Sequence, residues 1–460
     1  MIFAKGRLWP SSRQDEILSG LEAYINRVRA TKTLPRETVI RALSALGDRI
    51  SRGEFDGRIA SLAAGEDAAR YKKLAVSALN RENIELRLAR ELGEGPMPSA
   101  PGIRTEFRPL GTLFHIAAGN MDGLPALSAA EGLLTGNFNI LKLPQADSGL
   151  TVEILSELCR AEPEIADFVA VFDTPSSDVA AMKKMAEMAD GIVLWGGEEA
   201  ERAVRNLAPA GAKLIEWGHR LGFCYVKTDF EALCAGRTDP RLISDLSGLA
   251  EHIALTGQLL CSSCQTVFLD TARREDMEAF ARIFLPLLEE AVKKHPPAEI
   301  GVLAARSIRQ RMIRMERALE KNGIDAAAED RDSPEKDRAI LEGRECSLIL
   351  CRDSSLELSP LCMSVPVKRL PEKNLLPTLR RGESKGRLQT AGLICPDEDR
   401  DRLTDLLLRA GLTRVTTPAR MSEPFPGESH DGEYPMRRYV RAADVEELGV
   451  RSEELGAARG

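Results

Sequence analysis

The feature that most constrains this chain is a regular alternation of strand-like and helix-like segments from about residue 105 to 210. Residues 111–117, 138–142, 168–172 and 191–195 are short apolar runs rich in β-branched and aromatic side chains. Between and after them, residues 125–134, 151–159, 178–189 and 198–207 carry helical periodicity. Near-continuous apolar strands, each followed by a helix, predict a parallel sheet buried on both faces. Such sheets bind ligands at the carboxyl ends of their strands.

The flanks differ in texture. Residues 1–95 read as helical: Ile17, Leu18, Leu21, Tyr24, Ile25 and Val28 fall at helical spacing, as do Val39, Ile40, Leu43, Leu46 and Ile50 after Pro35. A single long helix is expected over 67–92, closed by Gly93-Glu94-Gly95-Pro96. A second α/β block begins near 220, with helices over 275–294 and 397–410 and strands over 347–350 and 388–394. Residues 325–337 are highly charged and read as a surface loop; 441–460 read as a charged tail, a short helix or frayed. The expected organisation is a helical N-terminal region (1–104), a first α/β domain (105–218), a second (219–418) and a C-terminal segment (419–460).

A chain of 460 residues exceeds one ordinary core, so two or three domains are expected. The net charge of -7 and the short, acid-interleaved basic clusters give no reason to expect nucleic acid as a partner. No apolar run approaches the roughly 18 residues that span a bilayer, so no membrane span is expected. The first residues do not read as an export signal and the nine cysteines are scattered, which predicts reduced thiols in a cytoplasmic protein.

Chemistry concentrates in Thr256-Gly257-Gln258-Leu259-Leu260-Cys261-Ser262-Ser263-Cys264-Gln265, followed by the strand-like Thr266-Val267-Phe268-Leu269. The pattern presents the Cys261 thiol on a loop at the mouth of a strand. Three readings compete: an acyl-transfer nucleophile, a redox dithiol, or a structural cysteine pair. Thioredoxin-like pairs open a helix, whereas this one precedes a strand. A structural zinc site needs a second close pair, which Cys224, Cys234, Cys346 and Cys351 do not form, so no metal is expected.

Other candidates cluster where the first sheet's strands end. Asn120, in Ala117-Ala118-Gly119-Asn120, is either an oxyanion donor or a turn residue. Lys142 could bond ribose hydroxyls or phosphate, or be an ordinary surface lysine. Gly196 and Gly197 form a strand-to-helix turn that admits a dinucleotide's phosphates, although no Gly-x-Gly-x-x-Gly exists in the chain. Glu216 could act as general base or be a carboxylate hydrogen-bonded at a domain hinge. His115 reads as a satisfied core histidine, and His219 and His252 as neighbours of a site or of the core. His430-Asp431-Gly432 is a turn, or an exposed pair that touches substrate.

Together these motifs resemble the aldehyde dehydrogenase superfamily, and within it the bacterial acyl-CoA reductases of the luminescence type, over about 105–440. Gln258-x-x-Cys261-Ser262-Ser263-x-Gln265 is similar to that family's Gln-Gln-Ala-Cys-Ser-Ser-Pro-Gln, with Cys264 in place of proline. Gly119-Asn120 matches the asparagine that donates to the oxyanion. The Leu141-Lys142-Leu143-Pro144 segment is similar to the Leu-Lys-Pro cofactor segment, and Trp195-Gly196-Gly197 falls where Thr-Gly-Ser lies beside the dinucleotide. Ile215-Glu216-Trp217-Gly218 resembles Leu-Glu-Leu-Gly, whose glutamate is a general base. Glu357 before Pro360 resembles the Glu-x-x-Gly-Pro segment that holds the nicotinamide ribose, one residue short.

The resemblance implies an α/β, aldehyde-dehydrogenase-like fold: a Rossmann-like cofactor domain plus an α/β catalytic domain, with the helical segment at the N-terminus. It implies an NAD(P)H-dependent acyl-CoA reductase with Cys261, Asn120 and Glu216 as catalytic residues and Lys142, Gly196, Gly197 and Glu357 as cofactor contacts. Gln145 stands where NAD-preferring relatives often carry a glutamate, which favours NADPH, with NADH the alternative. Acyl-CoA is the expected substrate, and a homo-oligomer through residues 430–442 the expected assembly. Cys264 is either a spare thiol or an oxidation partner of Cys261. Alternatives are an acyl-phosphate reductase or aldehyde dehydrogenase of the same fold, or a cysteine acyltransferase or thioesterase that needs no dinucleotide.

Overall fold

The computed structural model describes the chain except for residues 63–64, 94, 96, 98–99, 101, 118–122, 146, 297–299, 322–338 and 447–460. The charged 325–337 segment lies outside the described residues. Two compact units emerge: Met1–Gly218 with Phe425–Gly460, and His219–Pro424. The strands of the first are β1 (Ile2–Ala4), β2 (Arg7–Trp9), β3 (Ile103–Pro109), β4 (Thr112–Ile116), β5 (Phe138–Lys142), β6 (Val169–Phe172), β7 (Gly191–Trp195) and β8 (Lys213–Trp217). The second holds β9 (Leu221–Val226), β10 (Cys264–Leu269), β11 (Ala339–Glu342), β12 (Ser347–Cys351), β13 (Ser364–Arg369), β14 (Leu388–Ile394) and β15 (Arg414–Thr416). The chain then returns to the first unit with β16 (Val440–Glu446).

The first sheet runs β2-β1-β6-β5-β4-β7-β8, parallel from β6 to β8. The alternating strands and helices of 105–210 become this parallel core. The chain steps outward from β4 through β5 to β6, then lays β7 and β8 on β4's other side. That reversal makes the carboxyl ends of β4 and β7 a topological switch point, the position at which such sheets bind ligands. The helices Gln14–Thr31 and Arg36–Ser51 join the core of this sheet: Leu18, Leu21, Ile25, Val39 and Leu43 are buried in one cluster with Ile140 and Val171. Each such side chain contributes about 1.5–3 kcal/mol of burial.

Three local expectations are corrected. The N-terminal segment is not helical throughout, because β1 and β2 form a hairpin that pairs antiparallel with β6. The single helix over 67–92 is two, Gly65–Leu79 and Arg81–Leu92. Asn80 is extended between them, and its side chain accepts the Asn83 N–H at 3.3 Å. Asparagine stabilises a helix start better than a helix interior, so the chain restarts there. The charged tail begins as a strand: β16 pairs antiparallel with β3 from Val440↔Pro109 to Glu446↔Ile103. Seven consecutive ladder pairs override the weak intrinsic preference of this polar sequence.

The second sheet runs β11-β12-β13-β10-β9-β14-β15, parallel except for β11 against β12. Along β10, Val267 and Leu269 enter one core cluster and Phe268 the other, so helices cover both faces. The fold is mixed α/β with a Rossmann-like first sheet. Among the described residues no helix is long and apolar enough to cross a membrane.

Candidate active site

The helix Pro240–Thr256 ends on Gly257, whose φ of +57° is the left-handed conformation that glycine adopts without strain. Gln258 follows at φ +63°, a rarer state for a residue with a Cβ. Two successive left-handed residues turn the chain sharply, so Cys261 is presented at the amino end of β10, partly exposed. The strained Gln258 is over-determined by hydrogen bonds. Its amide donates to the Cys264 carbonyl at 3.1 Å, and its carbonyl accepts from the Gln265 amide at 2.8 Å. Within the loop, the Ser263 N–H donates to the Leu260 carbonyl and the Leu260 N–H to the Ser263 hydroxyl.

Gln265 does more than hold the loop. Its side-chain oxygen accepts both the N–H and the hydroxyl of Ser359, at 3.1 and 2.9 Å. One buried amide therefore ties the thiol loop to the segment that carries Glu357. That segment runs down to β13 through a left-handed turn at Leu361, Cys362 and Met363. The Gln310 side chain anchors the turn by donating to the Cys362 carbonyl at 2.9 Å. The sequence signal for this bridge is the pair of glutamines, Gln258 and Gln265, spaced around the cysteine.

Cys264 carries little thiolate with which to pair with Cys261. It is a free thiol buried in the core, and burial pushes its pKa up to about 12. A neutral thiol in an apolar core is a packing residue. His252 also serves structure: its Nε2 accepts the Cys264 N–H at 3.3 Å.

In the first unit, Lys142 lies buried at the carboxyl end of β5, and its ammonium donates to the Ser176 hydroxyl at 2.8 Å. Burial lowers its pKa. Gly196 and Gly197 close β7 and open the helix Glu198–Leu207. A Cβ at Gly197 would meet nothing within 4 Å, so the turn is open to an approaching ligand. The first turn of that helix, however, carries Glu198, Glu199 and Glu201. Three carboxylates oppose a phosphate at a helix N-terminus, whose partial positive charge is only about half a unit. Glu216 is held by Arg205 of the same helix at 2.7 Å. Asn120 lies outside the described residues.

The histidines divide. His115 is buried on β4, bonded to the Ser128 hydroxyl at 2.8 Å and the Asn139 side chain at 3.0 Å, and burial lowers its pKa to about 4. This is the satisfied core histidine that its apolar surroundings predict. His430 packs its ring on Trp195 and Trp217, with centroids 4.9 and 5.0 Å away. Trp195 and Trp217 are register partners on β7 and β8, so the three rings form a wall at those strands' carboxyl ends. Among the described residues no group of three or more histidine, cysteine or carboxylate side chains is arranged to hold a metal ion.

A family model described as acyl-CoA reductase (LuxC) matches residues 33–442. Long-chain acyl-protein thioester reductases are similar in sequence: that of Photorhabdus luminescens is 22% identical over 72% of this chain and 63% of its own length. That of Aliivibrio fischeri is 23% identical over 73% of this chain and 64% of its own. The chain thus aligns to less than two thirds of these relatives' length. An oxidoreductase from Marinobacter aquaeolei shares the fold at TM-score 0.67 and 15% identity, over 97% of this chain and 98% of that one. So does a glyceraldehyde-3-phosphate dehydrogenase from Methanocaldococcus jannaschii complexed with NADP, at TM-score 0.63 and 14% identity, over 95% of both chains. An NAD-dependent benzaldehyde dehydrogenase from Corynebacterium glutamicum gives TM-score 0.60 at 15% identity, over 95% of this chain and 91% of that one.

Proposed function

Because the chain belongs to the acyl-CoA reductase (LuxC) family, we propose that it reduces an acyl thioester, acyl-CoA in the first instance, to an aldehyde. The observation that carries this reading is the thiol loop: a partly exposed Cys261 held on a strained turn that Gln258 and Gln265 brace. Rigid presentation of a nucleophile is what acyl transfer needs, because the thiol must meet the carbonyl in a near-attack arrangement.

In this reading the Cys261 thiolate attacks the thioester carbonyl, a C–S bond forms, and the tetrahedral oxyanion is stabilised by Asn120. Collapse expels the CoA thiolate and leaves an acyl group on Cys261. A bound nicotinamide dinucleotide supplies hydride to that acyl carbon. The Cys261 thiolate then leaves the thiohemiacetal and the aldehyde departs. Glu216 is the proposed acceptor of the Cys261 thiol proton, which is lost before attack, and for this it must release Arg205. Lys142 and the open Gly197 turn fit the sugars of a dinucleotide. The acidic first turn after Gly197 does not fit a pyrophosphate seated on it, so binding in this reading rests on contacts to the sugars. NADPH is proposed over NADH because Gln145 puts no negative charge against a 2′-phosphate.

A second donor, an acyl group held on a protein as a thioester, is favoured by the similarity to long-chain acyl-protein thioester reductases. The chemistry at Cys261 is the same for both. Rapid mixing with acyl-CoA and no reductant tests the central step. A stoichiometric burst of CoA is expected from the wild type and none from Cys261→Ala. A burst that survives in the variant removes Cys261 as the nucleophile. Turnover with no dinucleotide present would instead indicate a thioesterase or acyltransferase.

A further inference from the structure

The Lys368 side chain has no solvent exposure, although it sits at the end of β13 beside a polar segment. Its ammonium donates to Asp353 Oδ1 at 2.7 Å, to Ser355 Oγ at 3.1 Å and to Glu357 Oε1 at 2.6 Å. An ammonium has three N–H donors, and three acceptors are present. Lys368 therefore has no donor left for a ligand and cannot itself take part in binding or proton transfer.

The arrangement leaves one negative charge in excess, since one ammonium faces two carboxylates. Asp353 is committed further, accepting from the N–H of Ser355 at 2.9 Å. Glu357 is 54% exposed and uses only Oε1 inward, so its other oxygen carries the outward charge. The segment is pinned on both sides of this residue: the Ser354 hydroxyl donates to the Arg369 carbonyl at 2.6 Å, and Ser359 is bonded to Gln265. A buried charge is costly unless fully paired, so this cluster has one well-defined geometry.

We propose that Lys368 is a positioning residue, which fixes the Glu357 carboxylate as a ready acceptor for a pair of sugar hydroxyls. This rests on the reading that Glu357 receives the nicotinamide ribose. Pre-organisation of the carboxylate saves the ordering cost that a free glutamate side chain pays when a sugar binds.

The test is the dissociation constant for NADPH, by calorimetry on the full chain, in wild type, Glu357→Gln, Lys368→Met and the double variant. Glu357→Gln is expected to weaken binding about tenfold. Lys368→Met should weaken it by a similar factor, and the double variant no further than Glu357→Gln alone. Factors that multiply in the double variant, or a Lys368→Met chain that binds as the wild type does while Glu357→Gln weakens binding, overturn the proposal and leave the Glu357 reading standing. A Glu357→Gln chain that binds NADPH normally removes the Glu357 reading itself, and the proposal with it. Should Lys368→Met lack a cooperative melt, Lys368→Gln carries the same cycle.

Discussion

Lys142 and Glu216 stand at the two ends of one row of register partners across the first sheet. Lys142 pairs with Ile116, Ile116 with Leu194, and Leu194 with Glu216. Partners on adjacent parallel strands share a face, so both residues lie on the same side, three strand spacings or about 14 Å apart. Each is anchored locally, Lys142 by Ser176 and Glu216 by Arg205. Two residues so placed address different parts of an elongated ligand rather than one bond.

If Glu216 accepts the thiol proton, Glu216→Gln should slow the CoA burst, and steady-state aldehyde formation with it, by about 10²-fold or more. The amide retains the size of the carboxylate and one acceptor for Arg205, so the fold is preserved. Unchanged turnover in the variant would confine Glu216 to its ion pair.

Gln265→Leu removes the bridge between the thiol loop and the Glu357 segment, stranding the Gln258 carbonyl and the Ser359 N–H in the interior. A stability loss of about 1–3 kcal/mol is expected. The acylation burst should slow by more than tenfold, because a small misplacement of the thiol is costly to attack. Stopped-flow and thermal melts measure the two effects separately. An unchanged burst rate in a destabilised variant would show that the bridge serves stability alone.

Leu259 and Leu358 are 56% and 52% exposed, and each adjoins a residue that Gln265 joins, Gln258 or Ser359. Exposed leucines on the thiol loop and on the segment bonded to it are suited to an acyl chain. Leu259→Asp should raise KM for long-chain acyl-CoA by about tenfold, in line with one apolar side chain's burial, and leave short-chain substrates unaffected. Equal loss across a chain-length panel rules this contact out.

Glu91 is buried, with one oxygen toward Arg87 and the other accepting the Met436 N–H at 2.7 Å; Arg87 also pairs with Glu131. Burial, with the Glu131 charge, raises its pKa from 4.5 to about 7. The folded chain therefore holds this proton more tightly than the unfolded one. The associated stability is complete below about pH 4.5 and is lost as pH rises through about 7, by at most roughly 3 kcal/mol. Melting temperatures from pH 4.5 to 8 should show this decline in the wild type and a flatter profile in Glu91→Gln. Parallel profiles would exclude Glu91 as the titrating group.

Much of the fold was legible because apolar periodicity and helix termination are local. The strands β4 to β7 and the helix Glu198–Leu207 follow from residues within a few positions of one another. The hairpin of β1 and β2 was not legible, since three-residue strands carry too little pattern and gain their order from β6. Nor was β16, whose polar residues form a strand only because β3 offers a ladder.

For the candidate site the division is sharper. From sequence alone, the loop marked Cys261 as a reactive cysteine with three competing readings, of which the resemblance to the acyl-CoA reductases favoured the nucleophile, and the α/β class followed from alternation. Tertiary structure decided that Cys264 is buried and its thiol pKa raised, since only the assembled core encloses it. It decided too that Gln265 links residues 258 and 359, and that Lys368 lies beneath Glu357. Those relationships join positions far apart in the chain, and hydrogen-bond geometry and burial exist only once the sheets are packed.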